Sequence, residues 1–307
     1  MTDIILHHFD TSPFAEKIRL ALGIKGLPWR SVQIPMVMPK PNLTALTGGY
    51  RKTPVMQIGA DVFCDTQRIA RELERRFPES SWFPTNDPGL GYALVKWSDE
   101  FFQAGLKMAL ALLGPDWDPA FRKDRQAIFA QLDFNTMDEE LQHAMAQFRA
   151  NAALLDAQLA DGRPFLTGDA PGLVDIQAFG TPWFARAAMP VTEQLLRQFT
   201  HLPDWEARVA ELGEGERLVM DAAEAHRVAR DSEPDLSTDV DPEDAQGLEP
   251  GMPVRVNSDD FSLRGAVEGL VLRASPLELA IHRQTDDFGD LVIQFPRLGY
   301  RVEPLTD

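Results

Sequence analysis

Ser12 and Pro13 set a hydroxyl directly before a proline, the order that begins an α-helix: serine caps the free amides and proline fits the first turn. A hydroxyl held there stands at the positive end of the helix dipole, where negative charge is favoured. Thr11 is the neighbouring hydroxyl. Asp65-Thr66 repeats the pattern, an acid able to cap a helix followed by a second hydroxyl. Other chemistry is sparse. Cys64 is the single cysteine, which excludes an intrachain disulfide framework, a CxxC pair and a multi-cysteine zinc site. It lies on an apolar strand with no partner histidine, so it reads as a buried structural thiol. His7 and His8 alternate sides of a strand, and the 6 histidines show no metal-ligand spacing, so no metal is expected.

The elements that must position these residues follow from periodicity. Asp3–Phe9 has the length of a buried strand, and Phe14, Ile18, Ala21 and Leu22 after the Ser12 cap mark a helix ending near Gly26. Trp29–Ile34 reads as a second strand. The proline-rich run Pro35–Pro41 argues for an irregular crossover. Val55–Ile58 and Val62–Cys64 flank the short turn Gly59-Ala60-Asp61 as a hairpin. Asp65 then caps a helix whose face is Ile69, Ala70, Leu73 and Phe77. The order is that of a small α/β unit with a mixed sheet. From Gly89 to Arg230 the pattern is helical, broken at Gly114-Pro115, Asp161–Pro164, Gly168–Gly172, Met189-Pro190 and Leu202-Pro203, and no strand is expected there. Asp138-Glu139-Glu140 reads as a solvated face.

The chain has 307 residues, 44% apolar and 25% charged, a globular balance with length for two or three domains. Its 47 acids against 30 bases give a net charge of −17, which disfavours nucleic acid and anionic membrane surfaces as partners. The first ten residues hold no uninterrupted apolar core of signal-peptide length, and Gly105–Gly114 is too short to span a bilayer, so a cytoplasmic location is expected. Charge also marks a boundary: residues 231–307 hold 17 acids against 6 bases, whereas residues 1–230 hold 30 and 24. Residues 231–246, with seven acids, two prolines and no lysine or arginine, read as an acidic linker that could lie along a neighbouring surface. Beyond it Pro253–Val256, Ala266–Arg273, Glu278–His282, Asp290–Phe295 and Tyr300–Val302 are short β-type runs, expected to form a small barrel-like module over 247–307.

Three segments in order, Ser12-Pro13-Phe14-Ala15-Glu16-Lys17-Ile18-Arg19, Arg51-Lys52-Thr53-Pro54-Val55 and Cys64-Asp65-Thr66, resemble the glutathione transferases over about residues 1–230. The resemblance implies a thioredoxin-like domain over 1–80 and an all-α domain over 89–230, with no counterpart in a standard member for the C-terminal module. It implies glutathione as co-substrate, no further cofactor, a hydrophobic electrophile and a homodimer. Ser12 matches the catalytic serine of serine-type members, with Thr11 as the alternative thiolate donor. Thr53 is expected to pair through its main chain with the cysteinyl part of glutathione, its geometry fixed by Pro54 in a cis bond. Asp65 and Thr66 match the pair that holds the γ-glutamyl end, and Lys52 and Lys40 are candidates for the glycyl carboxylate. Phe14, Trp97 and Phe101 are expected to wall the electrophile pocket. Gly172 departs from the serine or threonine that normally caps the family's central helix, leaving Asp175 to bond back to the turn. The absence of an active-site cysteine argues against thiol-transfer chemistry.

Two other classes fit the same sequence: a non-catalytic binding protein whose C-terminal module recognises a partner, and a carrier that binds glutathione without activating it.

Overall fold

The computed structural model of the protein describes residues 3–113, 118–129, 133–259 and 265–305. The Gly114-Pro115 break falls outside them. Strand β1 (Ile5–His8) leads into helix α1 (Pro13–Ile24), and the Ser12 Oγ accepts from the Ala15 amide at 3.2 Å as its cap. Strand β2 (Pro28–Gln33) runs parallel to β1. The proline-rich crossover is less irregular than its composition suggests. Pro41 begins helix α2 (Pro41–Thr47), which buries Leu43 and Leu46 and stops at Gly48, whose φ of +77° suits glycine. The proline run therefore starts this helix instead of preventing it.

Strands β3 (Val55–Ile58) and β4 (Asp61–Cys64) form the expected hairpin, and β3 pairs antiparallel with β1. Asp65 caps helix α3 (Thr66–Arg76), its Oδ1 accepting from the Gln67 amide at 2.9 Å. Helices α4 (Pro88–Leu113), α5 (Pro119–Ile128), α6 (Leu141–Leu159), α7 (Leu173–Ala188), α8 (Val191–Leu196) and α9 (Leu202–Ala210) follow. Gly172 is indeed the cap of α7. Asp175 accepts from the Gly172 amide at 2.9 Å, from the Leu166 amide at 2.8 Å and from Trp205 Nε1 at 2.8 Å, so one buried carboxylate fixes α7, the preceding turn and α9. None of the described helices is long and apolar enough to cross a membrane.

The stretch read as wholly helical contains a strand. Strand β5 (Glu216–Val219) returns to pair parallel with β2, and helix α10 (Ala222–Arg230) then packs on β2. Its four residues carry no alternation strong enough to stand out between two helices; pairing with β2 makes it a strand. The acidic segment lies along the protein surface: strand β6 (Asp239–Val240) pairs with a later strand, and Arg273 Nη1 donates to the carbonyls of Asp235 and Ser237 at 2.8 and 3.0 Å.

The C-terminal runs form β7 (Pro253–Ser258), β8 (Val267–Ala274), β9 (Glu278–Thr285), β10 (Gly289–Pro296) and β11 (Tyr300–Pro304). Four make an antiparallel meander and β11 returns to β7, giving the order β11-β7-β8-β9-β10. That is the strand order of a small rolled sheet, but the extension is not a detached module. Strand β10 pairs parallel with β4, joining it to the N-terminal sheet as β10-β4-β3-β1-β2-β5. The joint is also apolar: Leu46, Val55 and Val62 share one buried cluster with Val256, Ile281, Ile293 and Phe295. A second cluster joins α1, α3, α4, α6 and α7 on the other side of the N-terminal sheet.

Candidate functional site

A cavity of about 880 Å³ opens between the N-terminal α/β unit and the helices α4, α5 and α7, with residues of β7 and β11 on its rim. Ser12, Thr11, Phe14, Lys40, Lys52, Thr53, Asp65 and Thr66 all line it, brought together from segments far apart in sequence. Pro54 stands directly behind Thr53, and the Thr53-Pro54 peptide is cis, as is Met38-Pro39.

Ser12 is buried, whereas Thr11 is exposed on the turn before it. Because the Ser12 oxygen already accepts from the helix, its hydrogen remains available to a group in the cavity; no acceptor for it stands among the described residues. Lys40 is buried at the cap position of α2, with Nζ donating to the Arg51 carbonyl and Thr53 Oγ1, each at 3.1 Å. Burial, and then the charges of Arg125 and Arg51, lower its pKa to about 8. Lys52 donates to Ser258 Oγ at 2.6 Å.

Asp65 stands at φ +78°, a left-handed conformation that aspartate tolerates better than most residues. That turn directs its second oxygen away from the cap it makes for α3. Oδ2 accepts from the Tyr300 hydroxyl at 3.1 Å, and the Tyr50 and Tyr300 hydroxyls lie 3.1 Å apart. With the Tyr300 hydrogen committed to a carboxylate, Tyr50 is the donor to Tyr300. Burial raises the pKa of Asp65, opposed by its hydrogen bonds and by Lys52. Burial, then the adjacent Asp65 charge, pushes the Tyr300 phenol well up, so it stays a donor. Asp99 of α4 lines the same wall, its pKa raised by burial, and behind it the buried Lys17 feels the charges of Asp99 and Asp65.

The apolar side of the cavity corrects two expectations. Phe14 lines it, its ring 4.7 Å from that of Phe102. Phe101 instead points into the helical core, fully buried and 5.1 Å from the Phe148 ring, and Trp97 packs against the same core cluster off the cavity wall. Helix α4 carries two apolar stripes. Trp97, Phe101 and Met108 follow the core stripe; Phe102, Leu106 and Leu110, about 100° round the helix, follow the cavity stripe. One-dimensional spacing shows both stripes and does not say which faces the cavity.

Sequence reasoning missed Ser258, Tyr300, Asp99 and Arg125. The two C-terminal residues reach the cavity through the long-range pairing of β10 with β4, for which local sequence holds no signal. Cys64 is buried with its pKa raised well up by burial, consistent with a structural thiol.

The chain matches the glutathione S-transferase N-terminal domain over residues 6–81 and the glutathione S-transferase C-terminal domain over residues 138–208. No curated protein sequence matches it. A GST-like protein from Pseudomonas syringae is 35% identical and superposes with a TM-score of 0.83, covering 99% of this chain and 100% of that one. A beta-etherase from Sphingobium sp. is 17% identical, with a TM-score of 0.52 over 69% of this chain and 98% of that one. A glutathione transferase family member from Pseudomonas fluorescens, solved with two glutathione bound, is 12% identical, with a TM-score of 0.51 over 68% of this chain and 88% of that one. These last two share the fold alone and leave about a third of this chain unmatched, whereas the Pseudomonas syringae protein carries the whole architecture, C-terminal strands included. With two domain matches in order and a full-length relative of the same fold, the chain belongs to the glutathione transferase family.

Proposed function

We propose that the protein binds glutathione in this cavity and transfers it, through its thiolate, to a hydrophobic electrophile. The observation that carries the reading is convergence: Ser12, Lys40, Lys52, Thr53, Asp65 and Thr66 line one cavity in positions that suit the parts of the tripeptide. Asp65 accepts from the γ-glutamyl ammonium. Thr66 and the free amides at the start of α3 receive the γ-glutamyl carboxylate. Thr53 pairs with the cysteinyl main chain, and Lys40 and Lys52 face the glycyl carboxylate.

Ser12 then donates to the sulfur. A free thiol of this type titrates near 8.5. A hydrogen bond to a charged group contributes about 1.5–3 kcal/mol, and each pKa unit corresponds to about 1.4 kcal/mol, so one donor lowers the thiol by roughly one to two units. The α1 dipole adds to this. The thiol proton leaves to solvent, the sulfur lone pair forms the new carbon–sulfur bond, and the leaving group departs with its bonding pair. The presence of Ser258 and Tyr300 on the rim supports a role for the C-terminal strands at the small-molecule site in preference to partner recognition. Cytoplasmic location and homodimerisation belong to the same proposal, the latter checked by light scattering.

The test is calorimetric titration with glutathione at neutral pH. Saturable binding near one equivalent per chain supports the reading, and no binding at millimolar glutathione overturns it.

A further inference from the structure

One end of the cavity holds more positive charge than a glycyl carboxylate requires. Lys40, Arg51 and Arg125 converge there around a single acid: Arg51 donates to Asp124 Oδ1, and Arg125 Nη2 lies 3.8 Å from Asp124 Oδ2. The Met38 amide donates to Asp124 Oδ1 at 3.0 Å and Arg125 Nη2 to the Met36 carbonyl at 2.9 Å, so α5 is clamped onto the loop before α2. The buried Nε atoms of both arginines, and Asp124 Oδ2, make no hydrogen bond among the described residues.

The place of Arg125 on its helix carries the inference. Phe121, Arg125 and Ile128 stand at i, i+4 and i+7 and all line the cavity. A guanidinium therefore sits in the middle of an apolar stripe, stacked 4.7 Å over the Phe121 ring. Through that stripe it belongs to the aromatic chamber of Phe14 and Phe102 as much as to the tripeptide cleft. Asp124 offsets one of the three cations and a glycyl carboxylate offsets a second. Among the described residues the third has no acid of its own within ion-pair distance, and in a partly dehydrated cavity that is costly until an anion enters. Crowding of like charge is already visible at Lys40, where Arg125 and Arg51 add to burial in lowering the pKa.

Building on the glutathione reading, we propose that the second substrate is an amphipathic acid, whose apolar body fills the aromatic chamber and whose carboxylate is received by Arg125. A planar guanidinium suits a carboxylate bidentately, which gives orientation as well as attraction.

Three probes test this by calorimetry: S-benzylglutathione and its para- and meta-carboxybenzyl counterparts, with glutathione itself titrated first. The wild-type protein is expected to bind one carboxybenzyl isomer about tenfold more tightly than the benzyl compound. Arg125→Gln brings that ratio to about one, and Arg125→Lys retains part of it. The ratio cancels any loss of folding common to all three ligands. A wild-type ratio of one or below for both isomers, with glutathione still binding, overturns the substrate class alone. A ratio that survives Arg125→Gln overturns the role of Arg125. Failure of glutathione itself to bind overturns the site on which the inference rests.

Discussion

The Tyr300 hydroxyl donates to Asp65 Oδ2 at 3.1 Å, joining residues 235 apart in sequence. One is the acid at the start of α3, the other the first residue of the last strand, and Tyr50 stands behind them at 3.1 Å as the next link. The oxygen that would meet an ammonium is thus set by a side chain the rest of the fold does not supply.

Tyr300→Phe tests that link. Only an ionised Asp65 attracts the ammonium, and its pKa is already raised by burial. The Tyr300 hydrogen bond favours the carboxylate, so removing it raises the pKa further. Glutathione affinity should fall about three- to tenfold at neutral pH, less than the roughly 1.5–3 kcal/mol of a hydrogen bond to a charged group, because the Asp65 charge itself remains. The acid limb should also move up, with binding lost at a higher pH than in the wild type. Calorimetry of both proteins across pH 4–8 reads both effects. An unshifted acid limb refutes the coupling.

Ser12→Ala removes the proposed donor to the sulfur and the cap of α1 together. Turnover at pH 7 should fall about 8- to 25-fold, the loss of thiolate as the thiol pKa returns by one to two units to about 8.5, and stability by about 1 kcal/mol from the lost cap. The thiolate absorbance of bound glutathione against pH separates the two, because loss of the cap alone leaves that titration in place. Thr11→Ala should leave the titration as it is, since Thr11 is exposed.

Removal of residues 231–307 should not leave a soluble, intact remainder. It strips β4 of one of its two partners and opens the cluster that Leu46, Val55 and Val62 share with the C-terminal strands. Burial of each such side chain contributes about 1.5–3 kcal/mol, so the three together are comparable to the stability of a typical domain. A soluble 1–230 fragment that binds glutathione with unchanged affinity would falsify this.

Asp175→Ala should be among the most damaging substitutions in the helical region. It leaves three buried donors, the amides of Leu166 and Gly172 and the Trp205 indole, without their acceptor. Unsatisfied buried groups cost about 1–3 kcal/mol each, and a total loss of about 3–5 kcal/mol is expected in urea unfolding after partial relaxation. Gly172→Ser, by contrast, faces a crowded site, since a side chain there meets Thr167 Oγ1 and the Trp82 carbonyl at 3.1 Å.

Acid should weaken the fold before it titrates most carboxylates. Burial lowers the pKa of His7 to about 4 and of His8 to about 3, against about 6.5 for the unfolded chain. Depressed histidines make the unfolded state bind more protons than the folded one. Stability is therefore full above about pH 6.5 and falls as pH drops toward 4. His7→Gln, which can still meet Gln57, should flatten that slope, as read from urea midpoints at pH 7 and pH 5.

Most of the N-terminal unit was legible because its signals are local. The Ser12-Pro13 and Asp65 caps are written in adjacent residues, as is the β3–β4 hairpin. The five C-terminal strands were legible for the same reason. What they join was not. The pairing of Ile293 with Val62 and of Leu218 with Arg30 depends on chain segments far apart, and a short strand such as β5 acquires its identity only from its partner. The cavity divides along the same line. Ser12, Lys52, Thr53 and Asp65 lie within the three motif segments, whereas Phe101 and Phe102 are told apart only by helix phase, which packing fixes. Tyr300 and Arg125 carried no signal at all.

The continuity of the sheet has a consequence for synthesis. The second partner of β4, beyond β3, is β10, about 230 residues further along the chain. At roughly 5–20 residues per second of translation, β4 emerges from the ribosome roughly 10–50 s before the strand that covers its edge. Over that interval a nascent chain displays an unpaired strand edge beside the apolar side chains of Val55 and Val62. Helices α4 to α9 can assemble meanwhile, but they pack on the opposite face and leave that edge open. The last strands thus decide when the first domain is finished, and the protein is at its most vulnerable to aggregation while it is still being made.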